Sequence, residues 1–217
     1  MDHGTKEHAA AIVDRLKEIY PHAECALEYG GDGWRLLVMA RLSAQCTDKR
    51  VNEVSKVLFA KYPTADALAN APLSDVEEIV RPCGLYRVKA RNIIDESRML
   101  CDKYGGVLPQ DMDELMSFPG VGRKIANLLR GDLFSLPAIV VDTHMLRLSA
   151  RLGLVPIKKD DPVRVERILS QIVEPKEQSD LCHRIVLFGR DRCTARGQRC
   201  DGCPLFDICK SAVSDKI

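Results

Sequence analysis

The chain of 217 residues has no run approaching the roughly 20 uninterrupted apolar residues that a membrane helix needs, and its start, MDHGTKEHAA, lacks the apolar segment of a secretory signal. A membrane or exported protein is not expected. Nor is there a net charge of one sign: 32 Lys and Arg face 31 Asp and Glu, a formal +1, so bulk charge gives no support for a polyanionic partner. Internal repeats and low-complexity linkers are also missing, so the sequence marks no clean domain boundary, and no long run alternates at period two as a half-buried strand would. What remains, with 46% hydrophobic and 29% charged residues, is a chain able to bury the core of one large or two small domains.

Apolar residues recur three or four apart almost throughout, so the expected fold class is all-α. A first helix over about 5–20 places Ile12, Val13, Leu16 and Ile19 on one face. Residues 34–46 (WRLLVMARLSAQC) are apolar on nearly every side, as a central helix would be. Thr47-Asp48 offers an N-cap for 49–62, and a short helix follows Pro63-Thr64. Ser74-x-x-Glu77 and Asp111-x-x-Glu114 resemble capping boxes. A helix over 85–104 is stopped by Gly105-Gly106, and others are expected at about 123–134, 143–152, 161–173 and 179–190.

The near-zero charge conceals two basic segments. Residues 119–151 carry Arg123, Lys124, Arg130, Arg147 and Arg151 against Asp132 and Asp142, a net +3. Residues 184–210 are also +3, and the rest of the chain is −5. Charge counting leaves a phosphate-binding surface and an ordinary solvated face equally open. Nine cysteines are an odd number that cannot pair completely. Cys25, Cys46, Cys83, Cys101 and Cys182 are scattered and read as small core residues. Cys193, Cys200, Cys203 and Cys209 crowd into C-x6-C-x2-C-x5-C, which is a metal-ligand set. Four thiolates suit zinc or an iron–sulfur cluster; structural zinc sites more often use two C-x2-C pairs, and here there is one.

Phe118-Pro119-Gly120-Val121-Gly122-Arg123-Lys124 lies between a short capped helix and an apolar one. Two glycines one residue apart allow a sharp turn at positive φ and leave amides uncovered at a helix N-terminus, where a phosphate oxygen fits. A plain helix–helix turn is the alternative. Lys124, on the first turn of the following helix, is a candidate amine nucleophile. Asp142, after the apolar run Ala138–Val141, is a candidate N-cap, a carboxylate partner for an amine, or both.

LSAQCTD (42–48), GLYRVKARNI (84–93), FPGVGRKIAN (118–127), VVDTHMLRL (140–148) and the cysteine quartet, in this order, resemble the signatures of the endonuclease III family of DNA glycosylases, in the helix-hairpin-helix superfamily. The resemblance covers almost the whole chain. It implies a two-lobed all-α fold. Residues 25–134 would form a six-helix barrel lobe ending in a helix-hairpin-helix motif at about 112–133. Residues 1–24 plus 135–217 would form an iron–sulfur lobe with its cluster loop at 193–209.

The implied activity is excision of oxidised or ring-saturated pyrimidines from damaged double-stranded DNA, followed by nicking of the abasic strand. The implied enzyme is a monomer, with no membrane association, in the cytoplasm and associated with the nucleoid. Lys124 would form a Schiff base, with Asp142 assisting it. Gln45 would fill the space of the flipped nucleotide and Leu85 would wedge the opposite strand; taken alone they read as a helix-surface glutamine and a core leucine. Gly120, Val121, Gly122 and Arg123 would grip DNA, His144 would lie near the site, and Arg192, Arg196 and Arg199 would meet phosphates. Cys193, Cys200, Cys203 and Cys209 would bind a [4Fe–4S] cluster.

Adenine-mismatch relatives have a small hydroxyl residue at the lysine position and a catalytic glutamate four residues before the glutamine; here those positions hold Lys124 and Arg41. Thymine-mismatch relatives usually have tyrosine in place of the lysine. Cys46, Ile125, Arg130 and Asp132 depart from the usual family residues, which leaves open whether Arg130 and Asp132 alter the lesion pocket or form a surface ion pair. Alternatives to the bifunctional enzyme are a paralogue specialised for mismatches or abasic sites and a non-catalytic DNA-binding protein.

Overall fold

The computed structural model describes residues 4–156 and 161–214. The expected second lobe includes residues 1–3, 157–160 and 215–217, which lie outside the described residues. Those described hold twelve α-helices and no strand; an isolated bridge joins Cys193 and Gln198. No helix among them is long and apolar enough to cross a membrane. The chain divides into two compact units, Cys25–Phe134 and the residues that flank it on both sides. Ser135, where the chain leaves the first of these units, has φ +51°.

In the unit Cys25–Phe134, α2 (Gly33–Leu42) is the axis: Trp34, Leu36, Leu37, Val38, Met39, Ala40 and Leu42 are all buried. The Trp34 indole N–H donates to Ser97 Oγ at 2.9 Å, so its polar edge is satisfied inside the core. Around α2 pack α3 (Asp48–Lys61), α4 (Ala65–Ala69), α5 (Leu73–Val80), α6 (Tyr86–Tyr104), α7 (Met112–Met116) and α8 (Arg123–Phe134).

The starts of these helices follow short-range chemistry. Asp32, Thr47, Thr64 and Asp111 each accept from an amide of the first turn of the helix they cap. Ser74 does not cap α5: Pro72, with φ −60° already set by its ring, precedes the first helical residue Leu73, and Ser74 falls inside the helix. The expected helix over 34–46 stops at Leu42. Gln45, with φ +54°, has left the helical region.

The other unit contains α1 (Lys6–Ile19), α9 (Thr143–Leu152), α10 (Pro162–Ile172), α11 (Gln178–Asp191) and α12 (Lys210–Ser214). Ile12 and Leu16 of α1 join Leu148, Leu169, Leu181, Ile185 and Phe188 in its core. The crossing of α9 and α11 depends on Gly189. A Cβ there would collide with His144 Nδ1 and come within 2.9 Å of Arg147 Nη2. Of the five scattered cysteines, expected in the core, Cys83 and Cys182 are buried; Cys25, Cys46 and Cys101 are only half-buried.

Candidate active site and metal centre

Phe118–Gly122 makes the turn between α7 and α8. The Val121 N–H donates to the Phe118 carbonyl at 3.0 Å, and Gly120 takes φ +74°. The expectation of two positive-φ glycines is half met, since Gly122 is not among the residues with positive φ. What Gly122 provides is open space: a Cβ there would meet no protein atom within 4 Å. The first amides of α8 have no partner inside the helix, so this bare stretch of backbone is suited to an anion. Arg123 and Lys124, the first two residues of α8, are both exposed.

Asp142 caps α9: its Oδ1 accepts from the Met145 N–H at 2.8 Å. His144, on the first turn of α9, is half-buried and its Nδ1 lies 3.2 Å from Arg147 Nη2, so it packs at the helix crossing described above.

Among the described residues, only Gln45, Leu85 and Ser135 are non-glycine residues with left-handed φ. Holding a side chain there costs about 1–3 kcal/mol, and such strain gathers at working sites. Two of the three are the residues expected to enter the DNA. Leu85, with φ +48°, is 59% exposed rather than a core leucine, and Gln45 projects from a loop rather than a helix surface.

Both loops are held by one residue that the sequence reading passed over. Lys89 is buried, and its ammonium donates to the carbonyls of Leu42 at 2.9 Å, Ala44 at 2.7 Å and Cys83 at 2.7 Å. Leu42 and Ala44 lead into Gln45; Cys83 leads into Gly84 and Leu85. Burial pulls the Lys89 ammonium below its ordinary value. The signal in the sequence was a lysine on the apolar stripe of α6, one residue before Ala90 and four before Ile93. Lys89→Met strands three carbonyls; a loss of about 3 kcal/mol or more in a denaturant melt is expected. An unchanged midpoint would contradict the clamp.

The departures at the end of α8 are also placed. Asp132 lies beside Cys25, whose thiol burial pushes up to about 12, with the Asp132 carboxylate adding to the shift. The pair joins the first and nearly the last residue of its unit. Arg130 is half-buried, and its Nε has no hydrogen-bond partner.

Cys193, Cys200, Cys203 and Cys209 line one cavity together with Phe188, Leu205 and Phe206, and with Arg151, Arg192 and Arg199. The loop is shaped by its own hydrogen bonds. The Cys193 N–H donates to Phe188 O at 2.9 Å, Gly197 N–H to Thr194 Oγ1 at 3.1 Å, and Cys203 N–H to Cys200 O at 3.0 Å. Arginines brace it from α9: Arg151 donates to Cys193 Sγ at 3.3 Å and Thr194 O at 2.8 Å, and Arg147 to Cys193 O at 3.1 Å. Arg192 turns inward and donates to Gly202 O at 3.2 Å, so it holds the loop instead of projecting from it; Arg196 and Arg199 are exposed.

Burial, foremost, pushes the Cys203 and Cys209 thiols up, and the neighbouring cysteine sulfurs add to it. Among the described residues no three His, Cys, Asp or Glu side chains already stand at metal-binding separations. Yet four sulfurs line a single cavity whose wall contains no carboxylate or histidine, with three guanidinium groups around it. That donor set suits an anionic, thiolate-bound cluster.

The helical fold and its glycine turn find their class in a family model. Residues 38–175 match the HhH-GPD superfamily of base excision DNA repair proteins. Endonuclease III of Bacillus subtilis (strain 168) is 43% identical over 198 residues, covering 91% of this chain and 90% of that one. Endonuclease III of Synechocystis sp. (strain ATCC 27184 / PCC 6803 / Kazusa) is 42% identical over 208 residues, covering 95% and 94%. A solved trapped endonuclease III–DNA covalent intermediate has a TM-score of 0.90 and 42% identity, covering 98% of this chain and 99% of that one. The chain belongs to the endonuclease III family, DNA glycosylases and AP lyases of base excision repair.

Proposed function

We propose that this chain excises oxidised or ring-saturated pyrimidines from damaged duplex DNA and then cleaves the abasic strand, with Lys124 as the nucleophile. The observation that carries the reading is an exposed lysine on the first turn of α8, two residues after Gly122, whose open face is suited to a phosphate. Backbone amides of residues 122–124, beyond the Val121 N–H that closes the turn on Phe118, grip the DNA backbone without reading sequence, which suits an enzyme that must search any duplex. The damaged nucleotide leaves the stack at a cost of a few kcal/mol, smaller for a damaged base. Gln45 fills its place and Leu85 wedges the other strand, both held in strained backbone by Lys89.

The Lys124 amine bonds to C1′ as the C1′–base bond breaks, and the base departs with the electron pair. The sugar ring opens to a protonated imine on Lys124, which acidifies the C2′ proton. Loss of that proton expels the 3′ phosphate by β-elimination. Only a nitrogen nucleophile provides this route. The Asp142 carboxylate stabilises positive charge developing on the sugar while one of its oxygens keeps the α9 cap. Arg196 and Arg199 supply further phosphate contacts.

A [4Fe–4S] cluster held by Cys193, Cys200, Cys203 and Cys209 supplies structural cross-linking of the loop that carries those arginines. Purified protein is expected to contain about four irons per chain, as that cluster type requires, and to lose them in Cys203→Ala. A colourless protein with stoichiometric zinc would contradict this. For the reaction itself, a duplex carrying thymine glycol should release the base and be nicked 3′ to the lesion, whereas an intact duplex stays whole. Tight binding with neither product would favour the non-catalytic alternative.

A further inference from the structure

Arg41, in the last turn of α2, enters a polar cluster within the unit Cys25–Phe134. Its guanidinium donates through Nη1 to the carbonyl of Gly120 in the hairpin. With the Asn92 amide turned so that its oxygen faces the guanidinium, that oxygen accepts from Arg41 Nε at 3.0 Å and from Nη2. Four residues along the same face of α6 is Glu96, 0% exposed, with Oε1 3.8 Å from Arg41 Nε. Neither Glu96 oxygen has a hydrogen-bond partner. Burial pushes the Glu96 carboxyl well above its ordinary range, and Arg41 is the cation that opposes the shift.

A buried carboxyl without a donor is costly, and removing it in favour of an apolar residue often stabilises a fold. Its place is explained if it holds the guanidinium. The Arg41 side chain is only 17% exposed and is packed so closely on the hairpin that a Cβ at Gly120 would collide with its Nη2 and Cζ. The glycine is therefore required at Gly120 both by its φ of +74° and by the arginine against it.

We propose that Arg41, aligned by Glu96 and Asn92, is a positioning residue that fixes the Gly120 carbonyl and so sets the hairpin amides and the first turn of α8. Because α2 runs directly into Ser43–Gln45, the same side chain ties the glutamine loop to the hairpin. The inference rests on the reading of Lys124 and the hairpin as the reacting centre.

The test is the double variant Arg41→Leu/Glu96→Met, which removes the cation and the buried carboxyl together and fills their volume. It should melt at or above the temperature of the unaltered protein. Amide hydrogen exchange of residues 118–124 should be about tenfold faster, with helices of the other unit unchanged, and the single-turnover rate of borohydride trapping on a lesion duplex should fall about tenfold. A role confined to stability predicts unchanged exchange and rate in this folded variant, and unchanged hairpin exchange overturns the proposal whatever the rate. Should the double variant not fold, Arg41→Lys decides. Lysine keeps a charge beside Glu96 but cannot reach Gly120 and Asn92 together, so faster hairpin exchange at an unchanged melting temperature supports the proposal and native exchange overturns it. The exchange measurement needs no catalysis. Absence of trapping by the unaltered protein would count against the Lys124 chemistry and leave the positioning claim to be judged by exchange alone.

Discussion

Lys124→Ala is expected to lower base excision and strand nicking by roughly a thousandfold or more while duplex affinity stays within a few-fold. The asymmetry follows from where the residue sits. Lys124 is exposed, and alanine is the best helix former, so α8 keeps its stability. The amide of residue 124 survives the substitution, and with it the backbone grip proposed for the hairpin. What disappears is the amine, and with it the imine that makes the C2′ proton labile. Single-turnover assays at saturating enzyme, paired with a binding titration on the same duplex, separate the two quantities. A parallel fall in both would show that Lys124 serves as a phosphate contact and not as a nucleophile.

Asp142→Asn has the second largest expected effect, a loss of about a hundredfold in the chemical step with folding stability changed by less than about 0.5 kcal/mol. Asparagine caps a helix as well as aspartate does, and the Met145 N–H would keep an oxygen acceptor. The negative charge is what is lost. Asp142→Ala removes the cap as well and is expected to cost about 1 kcal/mol of stability in addition. If the asparagine variant is fully active while the alanine variant is destabilised, Asp142 is a cap and nothing more. Equal loss of activity in both, with stability lost only in the second, fits the two roles together.

Much of this was legible in the chain because it depends on near neighbours. Helix periods, the N-caps at Thr47, Thr64 and Asp111, and the turn at 118–122 are all encoded within a few residues of where they act. Asp142 and the cysteine quartet stood out from their own surroundings, and the family signatures added Gln45 and Leu85. What escaped is non-local. Lys89 binds carbonyls up to 47 residues away, and Arg41 reaches a carbonyl 79 residues on. Neither pairing leaves a periodic trace. The end of α2 at Leu42 was hidden for the same reason: Ser43-Ala44-Gln45 continues an apolar-looking helix, and the left-handed turn at Gln45 is held from outside by Lys89. Ser74 misled in the opposite direction, since a capping pattern lost to the proline two residues before it.

The basic segments needed the same correction. Their positive sum pointed to phosphate, but several of the arginines that make it are used internally. Arg147, Arg151 and Arg192 hold the cysteine loop by its carbonyls, and Arg184 pairs with Asp180 at 2.8 Å. The exposed basic residues of the two segments are Arg123 and Lys124 at the hairpin, Arg190 near the end of α11, and Arg196 and Arg199 on the loop. A charge count locates a region; the hydrogen bonds show which of its side chains serve the fold.

The central claim is that Lys124 bonds to the sugar, and mapping the borohydride-trapped product tests it most directly. Trypsin normally cuts after Lys124 to release residues 125–130. A reduced adduct on that amine blocks the cut, so the account predicts that the nucleotide mass appears on a peptide of residues 124–130. An adduct on any other lysine or on the terminal amine, with residues 125–130 released as usual from the trapped species, would contradict it.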